Sequence, residues 1–110
     1  MAEVKQINNL EEFLDFTGNS STLNVVKLGA GWCGPCRTLE STLKSLTTEE
    51  TEGVLLGEVD VDGEWFEDKA NELKIRGIPV LIAFKDGKEV ERLVGNPPKD
   101  KLIEFIGRNR

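Results

Sequence analysis

Apolar positions along the chain alternate between short β-branched runs and longer stretches with helical spacing, and this alternation predicts the elements in order. Residues 4–7 suit a short strand. Asn9, followed by Glu12 and with Leu10, Phe13 and Leu14 at helical spacing, predicts a capped helix running toward Gly18. The run LNVVKLGA is β-branched and bounded by turn-formers, which predicts a strand ending near Leu28 or Gly29. Beyond Pro35, Leu39, Leu43 and Leu46 fall at i, i+4 and i+7, so a helix is expected to begin at the adjoining cysteines and extend to about Thr48. VLLGEVDV, residues 54–61, reads as a second, largely buried strand, and Trp65, Phe66, Ala70 and Leu73 mark another helix. Residues 80–85 and 88–94 form two strands around Asp86-Gly87, a hairpin signal because both turn positions tolerate positive φ. Pro98 can open a last helix whose apolar face is Leu102, Phe105 and Ile106.

The order β-α-β-α-β-α-β-β-α constrains the architecture. A β-α-β start demands a parallel pair with a right-handed crossover, and the hairpin adds antiparallel strands. The expected class is α/β, with one mixed sheet covered by helices on both faces. The 110 residues have the length of one ordinary domain, without internal repeat or low-complexity linker, so residues 1–110 are expected to form a single domain.

Charge and composition narrow the function classes. A net charge of −6 without any histidine argues against a nucleic-acid surface, which needs clustered Lys and Arg. The longest apolar run, Ile78 to Phe84, is far shorter than the roughly 20 residues a membrane helix requires. The acidic start, MAEVKQINNLEEF, lacks the basic and apolar regions of a signal peptide, so a cytoplasmic setting is the default.

The two cysteines, Cys33 and Cys36, are spaced C-x-x-C, which in a cytosolic chain suggests redox or metal chemistry. A structural zinc site commonly takes four Cys or His ligands, and this chain has no further Cys and no His. No metal is expected. A purely structural disulfide is disfavoured too, because so short a loop constrains little of the unfolded chain. Redox exchange fits better. Free N–H groups at a helix N-terminus stabilise a thiolate, making Cys33 the natural attacker, and Cys36 one turn later can resolve the mixed disulfide. Gly34 lets the backbone turn, Pro35 stiffens the first turn where an N–H would be unpaired, and Trp32 offers a flat apolar surface beside the attacker.

With these residues in place, the sequence resembles the thioredoxin family. WCGPC at Trp32 to Cys36 is that family's active-site signature, IRGIP at Ile75 to Pro79 is similar to its second loop, and FKDG at Phe84 to Gly87 with Val94-Gly95 resembles its hairpin and following glycine. The likeness covers essentially the whole chain in order. It implies the thioredoxin fold, a five-stranded sheet of order 1-3-2-4-5 with four helices, and reduction of protein disulfides by Cys33 as nucleophile and Cys36 as resolver. It also implies a cis Ile78-Pro79 peptide facing the cysteines, and a docking surface for extended substrates at Trp32, Gly77, Ile78, Pro79 and Gly95. No bound cofactor is implied beyond the redox-active disulfide Cys33–Cys36. The implied partners are disulfide-containing client proteins and a separate reductase, with the chain acting as a monomer. Read on their own, Pro79 could simply start a strand and Gly77 and Gly95 could be turn residues. Trp65 matches nothing functional in the family pattern and reads as the apolar face of a surface helix.

Four positions depart from the family pattern. Lys27 stands where a buried aspartate is usual, and Glu58 where the neighbouring strand usually has lysine, so the acidic and basic members are exchanged. A lone buried charge costs several kcal/mol of effective desolvation, so Lys27 and Glu58 are expected to pair behind Cys36. An ammonium there would favour the thiolate and push the protein toward an oxidant, Glu58 could accept the Cys36 proton, or a neutral Lys27 could serve as the base. The plain alternative is a lysine whose stem covers apolar surface and whose head reaches solvent. Gly29 replaces a usual tryptophan and Ser41 a helix-kinking proline, which implies a more open site and a straighter helix. The rival readings are a protein-disulfide oxidase or isomerase on the same fold, and a scaffold subunit whose thiols are incidental.

Overall fold

A computed structural model describes residues 2–110. Five strands, β1 (Val4–Gln6), β2 (Leu23–Gly29), β3 (Val54–Asp60), β4 (Val80–Lys85) and β5 (Lys88–Val94), form one sheet in the order β1-β3-β2-β4-β5. β2 pairs in parallel with β3 and antiparallel with β4, β1 is parallel to β3, and β5 closes the hairpin. The mixed sheet and its strand order are those the sequence implied.

Four helices cover it: α1 (Leu10–Thr17), α2 (Gly34–Lys44), α3 (Glu67–Glu72) and α4 (Lys99–Asn109), with a 3-10 turn at Glu64–Phe66 before α3. Because side chains alternate along a strand, β2 feeds two separate cores. Leu23 and Val25 pack with Leu39, Leu43, Leu56, Leu102 and Phe105 under α2 and α4. Val26 and Leu28 pack with Phe13, Phe16, Val59, Phe66 and Ile82 under α1 and the 3-10 turn.

Local chemistry explains where the elements start, and where expectation and structure differ. The Asn9 side chain caps α1 by accepting from the Glu12 N–H at 2.9 Å, and the Glu12 carboxylate accepts in return from the Asn8 N–H at 2.8 Å. The buried face of α1 is Phe13, Phe16 and Thr17, however, while Leu10 and Leu14 are 43% and 51% exposed. The two sets have the same spacing, and the pair of phenylalanines buries the larger area.

α2 stops at Lys44 rather than near Thr48. Thr47 and Glu50 form a reciprocal cap, Glu50 N–H to Thr47 Oγ1 at 3.1 Å and Thr47 N–H to Glu50 Oε1 at 2.8 Å, which starts a new turn. Leu46 reaches the core from the connection and not from the helix. α2 is continuous through Ser41. Trp65 lies in the 3-10 turn and packs at 6.2 Å from Phe13 and 5.3 Å from Phe66, so it borders the core. Pro98 is the residue before α4 rather than its first turn.

Candidate active site

The end of β2 and the start of α2 meet at the cysteines. Cys33 is the N-cap residue of α2, and Cys33 and Cys36 are joined as a disulfide with Cα atoms 5.3 Å apart. Cys33 Sγ accepts the backbone N–H of Cys36 at 3.2 Å. That contact places one of the helix's unpaired donors on the Cys33 sulfur, an arrangement that stabilises negative charge there once the disulfide opens. Cys33 is 6% exposed and Cys36 only 1%, so of the two sulfurs the second is the more deeply covered. Gly34 and Pro35 between them are exposed.

Around the disulfide the chain assembles a rim. Trp32 is 71% exposed and is held by its indole N–H, which donates to Asp62 Oδ2 at 2.8 Å. Arg37 donates to the Gly31 carbonyl at 3.0 Å and so ties α2 back to the loop before the cysteines. Ile78 packs on the small cluster of Ala30, Cys33 and Cys36. The Ile78-Pro79 peptide is cis, Pro79 is buried and Gly77 is exposed. The Gly95 N–H donates to the Pro79 carbonyl at 2.9 Å, and Gly95 has φ +92°, a conformation that favours glycine. The loop 77–79 and the end of β5 are thus brought together, with Ile78 against the cysteines.

Behind the cysteines lies a cleft of about 250 Å³, whose walls include Lys27, Gly29, Cys36, Glu40, Glu58 and Asp60. Lys27 and Glu58 are partners in the β2–β3 register, and Lys27 Nζ lies 2.9 Å from Glu58 Oε2. Lys27 does not run out to open solvent: it is 5% exposed, and its ammonium also donates to the Cys36 carbonyl at 3.4 Å. Glu40, one helical turn after Cys36, places Oε1 at 3.6 Å from the same ammonium and Oε2 at 2.7 Å from Lys44 Nζ. The hydrogen bond from Lys44, with a smaller contribution from Lys27, holds the Glu40 carboxyl below the usual carboxylate range against its partial burial.

Gly29 shapes this cleft. A Cβ at that position would stand 3.0 Å from Cys36 Cβ, 3.1 Å from its Sγ and 3.7 Å from Lys27 Cε. The missing side chain leaves free the space between the lysine stem and the second sulfur.

Sequence reasoning missed Glu40 and Asp62. Glu40 carries a weak signal, since a residue four after Cys36 shares its helix face. Asp62 carries none, because only the folded chain brings it to Trp32. No three of His, Cys, Asp or Glu are gathered as metal ligands among the described residues.

Comparison with known proteins places these features in a family. The thioredoxin family model matches residues 4–108. The chain is 38% identical to a thioredoxin of Chlamydia caviae over 109 residues, 99% of each chain. It is 40% identical to thioredoxin C-2 of Corynebacterium nephridii over 91 residues, 83% of this chain and 82% of that one. The crystal structure of Malassezia sympodialis thioredoxin superposes with a TM-score of 0.84 at 29% identity, covering 98% of this chain and 91% of that chain.

Proposed function

Because the chain belongs to the thioredoxin family, we propose that it reduces disulfides in client proteins with Cys33 as the attacking thiolate and Cys36 as the resolving thiol. Dithiol–disulfide exchange is the reaction of the family, which needs no bound cofactor, and the chain is a thiol-disulfide oxidoreductase. The observation that carries the assignment of roles is the Cys36 N–H on Cys33 Sγ at the helix N-terminus.

In the reducing direction, the Cys33 thiolate attacks one sulfur of the client disulfide. That bond breaks, and the departing client sulfur takes the electron pair and then a proton from solvent. Cys36 loses its proton and its sulfur attacks Cys33 Sγ, so the internal disulfide forms and the second client sulfur leaves as the first did. Two electrons have moved from the dithiol to the client, and the chain is left with Cys33 and Cys36 bonded, as they stand here. A separate reductase must return those electrons.

Trp32, Gly77, Ile78, Pro79 and Gly95 serve as the surface on which an extended client segment lies. Exposed Trp32 supplies an apolar face. A cytoplasmic setting suits this chemistry, since a dithiol reductase acts where thiols are kept reduced.

The test is reduction of a disulfide-bonded protein with dithiothreitol as electron source. Cys33→Ser reduces the rate to that of dithiothreitol alone, and Cys36→Ser accumulates a covalent adduct with the client that excess thiol releases. A Cys33→Ser protein as fast as the parent would overturn the assignment of roles.

The buried Lys27 ammonium beside Cys36 favours one second reading, that of an oxidase or isomerase. The reduction potential separates the two. A value near the roughly −270 mV of thioredoxin marks a reductase, and one near the roughly −180 mV of protein disulfide isomerase marks the alternative.

A further inference from the structure

The cleft behind Cys36 contains more charge than a two-residue swap explains. The charged groups lining it are Lys27 from β2, Glu58 and Asp60 from β3, and Arg37 and Glu40 from α2, with Lys44 bonded to Glu40 from outside. β1 contributes the uncharged Gln6. Two carboxylates converge on the Lys27 ammonium, at 2.9 Å from Glu58 and 3.6 Å from Glu40, while the Cys36 carbonyl lies 3.4 Å from it. The Glu40 side chain is 28% exposed and bonded to exposed Lys44, whereas Lys27 is covered. Glu40 is therefore the more exposed of the two carboxylates that hold the buried amine, its side chain 28% exposed against 17% for Glu58.

We propose that Glu40 is a positioning residue for the exchange reaction, holding Lys27 in the cleft behind Cys36 and so setting the field in which that thiol loses its proton. The inference rests on Cys36 being the resolving thiol. When Cys36 attacks Cys33 Sγ, its S–H bond must break. That proton leaves to water in the cleft that Cys36, Lys27 and Glu40 line. The sulfur–sulfur bonds change as described above, and no further reactant is needed.

Glu40 lies in contact with Lys27 at one corner of the cluster, so the part of its effect on Cys36 that runs through the lysine is lost when the lysine is removed. That dependence is measurable. In a Cys33→Ser background, where Cys36 is the single thiol, its deprotonation can be followed by thiolate ultraviolet absorbance against pH. Glu40→Gln removes a negative charge from the cleft and is expected to shift the midpoint to lower pH, on the order of half a unit for one charge acting through a partly solvated cleft. Glu40→Ala, a good helix former at a half-exposed site, is expected to shift it equally. In a Lys27→Met background the Glu40→Gln shift is expected to change in size, because the residue through which it acts is gone. The same two substitutions in the chain with both cysteines should move the pH profile of protein-disulfide reduction in the same direction.

Coincident midpoints for Glu40→Gln and its parent overturn the proposal, as does a shift identical with and without Lys27. Either result leaves the function intact provided the unmutated chain reduces the protein disulfide. Failure of the unmutated chain in that assay removes the functional reading itself.

Discussion

Val26 and Lys27 are neighbours in the chain, both almost wholly buried, and they illustrate two ways of filling a protein interior. Val26 belongs to the face of β2 that packs under α1 with Leu28, Phe13 and Phe66, where dispersion and the hydrophobic effect suffice. Lys27 points to the other face, which starts as an ordinary core at Leu23 and Val25 and ends in an ion cluster next to the disulfide. A buried charge is a poor way to gain stability, because desolvation offsets most of the Coulomb attraction. Its position at the end of the strand, on the cleft and beside Cys36, fits chemistry better than it fits packing. No buried side-chain nitrogen or oxygen lacks a partner among the described residues, so the charged face is satisfied as completely as the apolar one.

Four measurements would break or sharpen this contrast. The largest effect should come from the apolar face: Leu28→Ala removes a fully buried side chain and is expected to cost about 2–5 kcal/mol in denaturant unfolding. The redox potential should stay put, and a substantial change in it would show that the faces are not independent. Next, Lys27→Met leaves Glu58 and Glu40 facing each other without a cation. A loss of about 1–3 kcal/mol at neutral pH is expected, reduced in acid, where the carboxylates protonate and the repulsion disappears.

Gly29→Ala comes third, because a methyl group 3.0 Å from Cys36 Cβ forces that side chain to move. It should slow resolution of the mixed disulfide while costing about 1 kcal/mol or more of stability. A rate equal to the parent's would mean the space beside Cys36 has no part in the reaction.

The smallest effect belongs to an exposed pair, the baseline for the buried one. Arg108 Nη2 lies 2.6 Å from Glu91 Oε2 and, with Asn109, holds the Glu91 carboxyl at about 2 against a usual 4.5. A carboxylate with a depressed folded-state value stabilises the fold above its unfolded value and loses that contribution as pH falls through the folded one. The slight deficit of Arg108→Ala in a thermal melt should therefore be complete above about 4.5 and vanish near 2.

Much of this contrast was legible in the sequence. The strands were readable because LNVVKLGA and its counterparts are β-branched and bounded by turns, and the hairpin because Asp86-Gly87 admits positive φ, observed at 55° and 82°. The pairing of Lys27 with Glu58 followed once β2 and β3 were taken as neighbours. Besides the contact of Asp62 with Trp32, three features were not legible. The inner face of α1 was ambiguous because Leu10, Phe13 and Leu14 have the same spacing as Phe13, Phe16 and Thr17. The end of α2 was hidden because a leucine at i+7 looks helical even when a turn delivers it. Glu40 looked like any polar helix residue, since its meaning depends on how α2 lies across β2, a distance in space that spacing along the chain does not encode.

β2 lies at the middle of the sheet, hydrogen-bonded to β3 on one side and β4 on the other, with every residue from Leu23 to Gly29 buried. Backbone amides in such a strand are released to deuterium only when the whole domain opens. Lys27 therefore hangs from the slowest-breathing part of the molecule, while Trp32, Gly77 and Gly34 sit on its surface. The exposed rim around the disulfide lies outside that frame, whereas the lysine behind the second sulfur keeps its place until the protein itself unfolds.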